Sequence, residues 1–484
     1  MLIYSLLWSA MAEPTTDKAS ESTTDSAEVV QSTGNLRVVA TSRPGFAVDF
    51  EGRELESGLV FDSRLRTQVD INLSGWKLEI GGDLVDGQFA GSPWNLDGTT
   101  HNFHPEQIGI FNASNFNLRA AQVKRKFGAV GVQTGITTSH WGLGLIANDG
   151  NHEQLFSRTD YGDRVFRTAA VTKPMDKLVV MVGGDWVLED DIGGYTDGHM
   201  SYQGLASAQY FASKDNAVGF LSVYRNQTKI DTEKSLEGMI LDVYAKGVQP
   251  MGVVDLYGAV EGVYLHGDHG QISNRMNPEG LDVRSYGAVA QLEVRHEMVD
   301  IGLNAGFASG DANPSDDVYS TFSFDRDYNA GSMIFDLHQS ATEVATYNLI
   351  TDPEHAGNPP DGVEFAVTEG AIRQAMYLQP TVTYKGFTDW MDVAVGSVMA
   401  WQTVPVSSPF ISYRNGGAPV NHLGDPTTGY QLGIEMNWAV MINHAYDSGL
   451  KNGLSLEGAH LLPSENLGVD SALSMIRIQS NIGW

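Results

Sequence analysis

The feature that most constrains this chain is strict alternation of apolar and polar residues. It is clearest in "SRLRTQVDINLSGWKLEIGGDL". Leu65, Thr67, Val69, Ile71 and Leu73 alternate with Arg64, Arg66, Gln68, Asp70 and Asn72; Ser74 and Gly75 turn the chain, and Trp76, Leu78 and Ile80 then alternate with Lys77, Glu79 and Gly81. A period of two places the two sets on opposite faces of a strand. The unit therefore reads as a tight hairpin whose arms have the length needed to cross a bilayer when tilted.

The unit recurs along the chain. "VFRTAAVT" and "LVVMVGGDWV" flank "KPMD", "YQGLASAQYF" and "AVGFLSVYR" flank "SKDN", and "LDVYAKG" and "VVDLYGAVEGVYL" flank "VQPM". Further on, "SYGAVAQLEVR" and "DIGLNAGFA" flank "HEMV", and "LQPTVTYK" and "MDVAVGSVMAW" flank "GFTD". Between hairpins the connections are long and polar, the longest running from Gly310 to Gly370. Short turns on one side and long loops on the other predict an all-β fold: a transmembrane antiparallel β-barrel of about 18 strands, with extracellular loops and periplasmic turns. A soluble sandwich or β-helix fits poorly, because the face opposite the apolar one carries Arg, Gln, Asp, Asn, Glu and Gly; two such sheets cannot bury one another, whereas a wet lumen with lipid outside suits both faces.

Composition narrows the function. The acids number 59 against 30 bases, a net charge of -29, which argues against nucleic acid as a partner. Cysteine is absent, which removes thiolate metal sites and cysteine nucleophiles. No run reaches the roughly 18 apolar residues of a membrane helix.

Residues 1–12, "MLIYSLLWSAMA", resemble a secretory signal peptide ending on an A-x-A site, with the basic start missing as if the start codon were placed too late. Residues 13–33 read as a flexible acidic linker, and 34–484 as the barrel domain. A linker this short holds no plug domain of the kind that precedes receptor barrels.

With outward parity set by the apolar residues, the candidate pore-lining set is Arg64, Arg66, Asp70, Lys77, Glu79, Asp83, Arg119, Arg167, Glu261, Glu293, Asp300, Asp392, Glu435 and Arg477, joined by Asp255 and Lys385. Opposed charges across a narrow lumen orient polar solutes and set ion preference; the alternative is that they pair simply to close the interior. The segment 310–370 holds twelve acids and one arginine, and its aromatics Tyr319, Phe322, Phe324, Tyr328 and Phe335 favour an ordered lid or plug. Asp311, Asn313, Asp316 and Asp317 within it, with Ser315, are spaced like the oxygens of a calcium loop that lacks its terminal glutamate, so a structural Ca2+ competes with a solvated acidic loop; no other cofactor is expected.

At the end of the chain, Ile478, Ile482 and Trp484 lie on the lipid-facing parity and resemble the signal read by barrel-assembly machinery, with Trp484 at the interfacial girdle. Ser139 and His140 are adjacent, and on a strand they would point to opposite faces, so a shared proton and a barrel lipid hydrolase are disfavoured.

The stretch "VGVQTGITTSHWGLGLIANDG", followed by "GFASGDANPSDDVYSTFSFDRDYNAGSMIFD", resembles the alginate-export family of outer-membrane porins. That resemblance implies an 18-stranded channel for a polysaccharide or small solute, with loops folded over or into the pore. The mixed charge of the lining set departs from the basic lumen a polyanion requires. The expectation is a passive, non-enzymatic porin in the bacterial outer membrane, with both termini periplasmic. Its partners would be membrane lipid, the assembly machinery and a hydrophilic solute or saccharide, and a receptor or adhesin acting through the loops is the alternative.

Overall fold

The computed structural model describes residues 29–92, 116–159, 162–355, 361–362, 365, 367–414 and 418–484. Eighteen long strands form one closed antiparallel barrel in which each strand pairs with its neighbours in sequence. They are β1 Val29–Arg43, β2 Gly58–Leu73, β3 Trp76–Gly91, β4 Asn117–Phe127, β5 Val130–Thr138, β6 Arg164–Met175, β7 Leu178–Glu189, β8 His199–Phe211 and β9 Ala217–Lys229. There follow β10 Ser235–Met251, β11 Val254–His269, β12 Leu281–His296, β13 Val299–Ala308, β14 Ala375–Thr388, β15 Met391–Gln402, β16 Gln431–Ala445, β17 Lys451–Pro463 and β18 Leu473–Gly483. Closure runs from Asn35↔Gly483 to Ser42↔Ile476 between β1 and β18.

One rim is made of tight turns. Ser74 and Gly75 both have positive φ (45° and 83°), as the two-residue hairpin after β2 requires, and Gly128 and Gly252 take the same region in their turns. The first residues of β1 pair with the end of β2, Val29 opposite Asn72, so both strand termini of the barrel lie at this rim. The opposite rim carries the long connections 44–57, 139–163, 309–374 and 403–430.

Alternation is realised strand by strand. On β9, Val218, Phe220 and Tyr224 are exposed while Leu221, Val223 and Arg225 are buried. Large exposed aromatics collect near the tight-turn rim: Trp76, Phe127, Tyr210, Phe387, Trp390, Tyr446 and Trp484. Such a girdle places amphipathic rings at a membrane interface. Trp76 meets Phe127 edge to face at 6.4 Å, and the Arg125 guanidinium lies 4.5 Å over the indole.

The first strand begins at Val29, so residues 29–33, read from sequence as linker, are strand. Outward-facing Ser32 and Gly34 hide the alternation there, because an outer face need not be apolar near the rim. The signal-peptide reading of 1–12 and the linker reading of 13–28 lie outside the described residues. Strand β3 runs on past the quoted hairpin to Gly91.

The interior also departs from the polar face expected of it. Where the long connections fold in, inward positions are apolar, and one buried cluster joins Val263, Val289, Tyr377, Val398, Leu461 and Met475 of the wall to Phe322, Phe324, Tyr328, Met333, Phe335 and Leu337 of the connection 309–374. That connection contains a short strand, Val318–Tyr319, parallel to the start of β12, a π-helical turn Ile334–Gln339, and helix α1, Ser340–Thr351. Helix α2, Pro409–Arg414, sets Phe410 against Leu349 and Ile350. A small hairpin, Phe46–Ala47 with Glu54–Leu55, stacks Phe46 on His338 at 5.1 Å.

Candidate functional site: the barrel interior

Most of the interior arginines come from one sector of the wall. Arg477 on β18, Arg37 on β1, Arg64 and Arg66 on β2, Arg119 on β4 and Arg167 on β6 all point inward. Arg37 and Arg64 are cross-strand neighbours. Alternation makes this possible, since every second residue on adjoining strands shares the lumen.

The inward connection 139–163 faces that row with carbonyl oxygens. Thr159 O accepts from Arg37 Nη1 at 2.8 Å and from Arg64 Nη1 at 2.9 Å, Gly150 O accepts from Arg66 Nη1 at 2.8 Å, and Asp149 O accepts from Arg119. Carboxylates complete the set. Arg66 forks onto Asp83 at 2.7 and 2.8 Å, Arg167 onto Asp185 at 2.8 and 2.7 Å, Arg37 meets Glu153 at 2.6 Å and Arg477 meets Glu457 at 2.6 Å. Arg64 differs: its Nε is buried without a hydrogen-bond partner. Its hydrogen bond goes to a neutral peptide carbonyl, with Asp83 and Asp86 acting on it only through space, so Arg64 keeps a net positive charge beside the lumen.

Towards the tight-turn rim the charges form smaller local pairs. Lys77 bridges Asp70 at 3.1 Å and Glu79 at 2.9 Å, and Glu79 also receives Lys124 at 2.8 Å and Gln122 at 2.7 Å. Across the barrel Arg295 meets Glu293 at 2.6 Å and Lys385 meets Asp300 at 2.8 Å. Asp255 is exposed at the rim, and half-buried Asp392 shares inward parity with Ala394 and Val398.

Glu261 and Glu435 have a different role from the one lining residues were expected to play. Each is a buried carboxylate that receives the backbone of an inward connection. Glu261 accepts from Leu143 N, beside Trp141, whose Nε1 donates to Asp242 at 3.0 Å. Glu435 accepts from Ser332, Met333 and Ile334 N at 2.8, 3.0 and 3.1 Å, at the start of the helical run that leads into α1. Consecutive amides at a helix start form an anion nest, here filled by the wall. Parity gives the inward direction of these residues; their partners lie more than a hundred positions away and leave no local signal.

At the long-loop end an acidic group gathers around Arg326, which reaches Asp191 at 3.1 Å and Glu189 at 3.5 Å and also pairs with Glu369. Desolvation by the packed loops, with neighbouring Asp190 and Asp327, pushes Asp191 up to about 7 against the pull of Arg326, although the residue itself reaches the surface. Burial likewise holds Asp163 and Asp325 well above the usual carboxylate range, each reinforced by other acids.

The calcium-like spacing does not gather its oxygens round a point. Asp311 Oδ1 accepts from Asn313 N at 2.9 Å, Asp316 Oδ1 accepts from Val318 N at 3.0 Å, Asp316 Oδ2 accepts from Asn313 Nδ2 at 3.1 Å, and residues 312–317 are exposed. These are turn contacts, which the same Asp and Asn spacing serves equally well. Among the described residues, three metal-ligating side chains converge elsewhere, at His140, Asp149 and His152. Sequence reasoning missed this trio because "HWGLGLIANDGNH" has no familiar ligand spacing.

Ser139 and His140 fall just beyond β5, so strand parity does not govern them. Ser139 Oγ accepts from Arg167 Nη2 at 3.1 Å, whereas His140 stacks on His152 with centroids 3.8 Å apart. Burial, then the neighbouring His152, lowers His140 to about 4. Burial alone would raise Asp149; the hydrogen bond from His152 and the two rings overturn that and hold it below the usual carboxylate range. At the chain end, Ile478 and Trp484 are exposed on the outer face as the parity required, with Ile482 half-buried on the same face.

Comparison with solved structures finds the same architecture. The chain is similar to OccAB1 of Acinetobacter baumannii (TM-score 0.53, 12% identity, covering 94% of this chain and 96% of that one). It is similar to the outer membrane protein opdK of Pseudomonas aeruginosa (0.51, 12%, 94% and 98%) and to a BenF-like porin from Pseudomonas fluorescens Pf-5 (0.52, 9%, 94% and 98%). No protein-family model and no curated protein sequence matches. At such identities the shared property is the closed barrel itself.

Proposed function

We propose that the chain is an outer-membrane channel for passive diffusion of small hydrophilic solutes, with the arginine sector drawing in those that carry a negative group. The observation that carries this reading is a closed barrel with an apolar outer face, an aromatic girdle and a charged interior narrowed by its own connections. Likeness to barrels described as porins agrees with it. Both termini of the barrel then lie in the periplasm, where its assembly machinery would meet the Ile478, Ile482 and Trp484 face.

A small solute is favoured over a threaded polysaccharide because Phe322, Phe324, Tyr328, Met333 and Phe335 are buried among wall residues at mid-barrel, where a polymer would have to pass. The comparisons agree with a porin-type barrel without singling out the alginate-export family, so that part of the resemblance rests on the motifs around Trp141 and 306–335 alone. Passive transport asks for no catalytic residue, and among the described residues the Ser139 hydroxyl has Arg167, not a histidine, as its hydrogen-bond partner.

Planar bilayer recording tests the reading. Wild-type protein should pass steady current, linear at low voltage, and Arg64→Ala should move the cation-to-anion ratio towards cations by a factor of about 2. One charge about 8 Å from a permeating ion in water contributes roughly 0.5 kcal/mol. A bilayer that stays silent even after the connection 309–374 is deleted would discard the channel in favour of a receptor or adhesin.

A further inference from the structure

Besides the Asp149 carbonyl given to Arg119, the inward connection 139–163 brings three metal-ligating side chains together. Asp149 Oδ1 accepts from His152 Nδ1 at 2.9 Å and lies 3.9 Å from His140 Nδ1. The candidate ligand atoms of all three side chains lie within 4.8 Å of one another. Tetrahedral coordination with arms near 2.1 Å sets ligand atoms about 3.4 Å apart, within this spread. A second observation points the same way: the His140 side chain is only 5% exposed, and its Nδ1 is buried without a hydrogen-bond partner. A buried imidazole nitrogen left unpaired is costly, and a cation beside Asp149 would satisfy it.

We propose that His140, Asp149 and His152 form a binding site for one divalent ion of the zinc class. Two imidazole nitrogens and one carboxylate oxygen suit a borderline cation such as zinc; calcium or magnesium would demand more oxygens. Uptake requires the two rings, now stacked 24° from parallel, to fan apart so that each aims its Nδ1 at the ion. His152, whose side chain is 31% exposed, has the room to do this. His152 gives up the Nδ1 proton now donated to Asp149 and carries its one ring proton on Nε2, taken from solvent, so the ring binds neutral through Nδ1 and Asp149 Oδ1 takes the ion in the proton's place. A water from the lumen completes the fourth position.

The backbone gives the ion its leverage. Asp149 and Gly150 lend their carbonyls to Arg119 and Arg66, so an ion held by Asp149 stiffens the segment that rests on the arginine row. Binding itself is independent of the channel reading, whereas any effect on current rests on it.

The test uses the full chain refolded in detergent, with an intact barrel verified by faster migration of unboiled protein. Calorimetric titration with Zn2+ should find one ion per chain, and Co2+ should give a visible ligand-field absorption. His152→Ala, on the exposed side of the trio, should weaken zinc binding at least about tenfold, and the His140→Ala/His152→Ala pair should abolish the cobalt absorption. Absence of binding by the intact wild-type barrel, or binding unchanged in both variants, overturns the site. Zinc bound by a barrel that conducts no current even without the connection 309–374 leaves the site standing and removes the channel.

Discussion

Glu435 offers the sharpest test of how the interior is held. Its side chain is fully buried on β16 and receives three successive amides, from Ser332, Met333 and Ile334, at 2.8, 3.0 and 3.1 Å. Hydrogen bonds to a charged partner contribute about 1.5–3 kcal/mol each, and desolvation of the carboxylate takes back much of the sum. Removing the carboxylate while the amides stay buried therefore costs about 3–5 kcal/mol, as for other broken buried partnerships. At 1.4 kcal/mol per tenfold, the ratio of docked to undocked connection falls by roughly two to three and a half powers of ten. Glu435→Ala should then show bursts of larger conductance in planar bilayers. Glu435→Gln, which keeps one acceptor oxygen, should fall between it and wild type. The chain has no cysteine, so Ala345→Cys on α1 supplies an independent reporter: a thiol reagent should label it far faster in the Glu435→Ala background. Equal conductance and equal labelling in a barrel that still migrates as folded would refute the reasoning.

Two further outcomes follow from other parts of the molecule. Asp191 is pushed up to about 7 by desolvation, so between the unfolded carboxylate value near 4 and about 7 the folded loops bind the extra proton; their docking is firmest below that window and weakens as pH rises through it, giving noisier current at pH 7.5 than at pH 5, a difference that Asp191→Asn should flatten. At the seam, Gly34 N donates to Trp484 O at 3.1 Å, and Trp484 N donates to Gly34 O at 3.0 Å, while a Cβ on Gly34 would collide with the indole. Gly34→Ala should cost about 1–3 kcal/mol and lower the temperature at which the folded gel band disappears; an unchanged temperature would show that the ring gives way freely.

How much of this was legible in the sequence depends on how local its cause is. The β2–β3 hairpin could be read whole, because alternation and the Ser74 and Gly75 turn are short-range properties of the chain. Inward direction for Arg64, Glu79 or Asp300 follows from the same parity. What those side chains touch does not: Arg66 finds Gly150, and Glu435 finds Ser332, only once the barrel has closed round its connections. The start of β1 was hidden for a simpler reason, since Ser32 and Gly34 follow the single outward Val30 and break the apolar alternation there. The apolar inner residues Leu221, Val223 and Met475 broke the expected pattern because Trp141 and the 309–374 connection supply them with a second, internal core.

The inward connections all descend from one rim, and the largest is heavily acidic: residues 310–370 carry twelve acids against Arg326. In a membrane, that makes the segment an electrical object as well as a steric one. Each elementary charge carried across the full potential changes its energy by about 2.3 kcal/mol per 100 mV. Even partial displacement of a few ionised carboxylates rivals the anchoring at Glu435. One polarity presses the segment into its seat and the other draws it towards the long-loop side, so the current-voltage curve should bend in one direction only, and the sign of that bend reports which way the barrel was inserted.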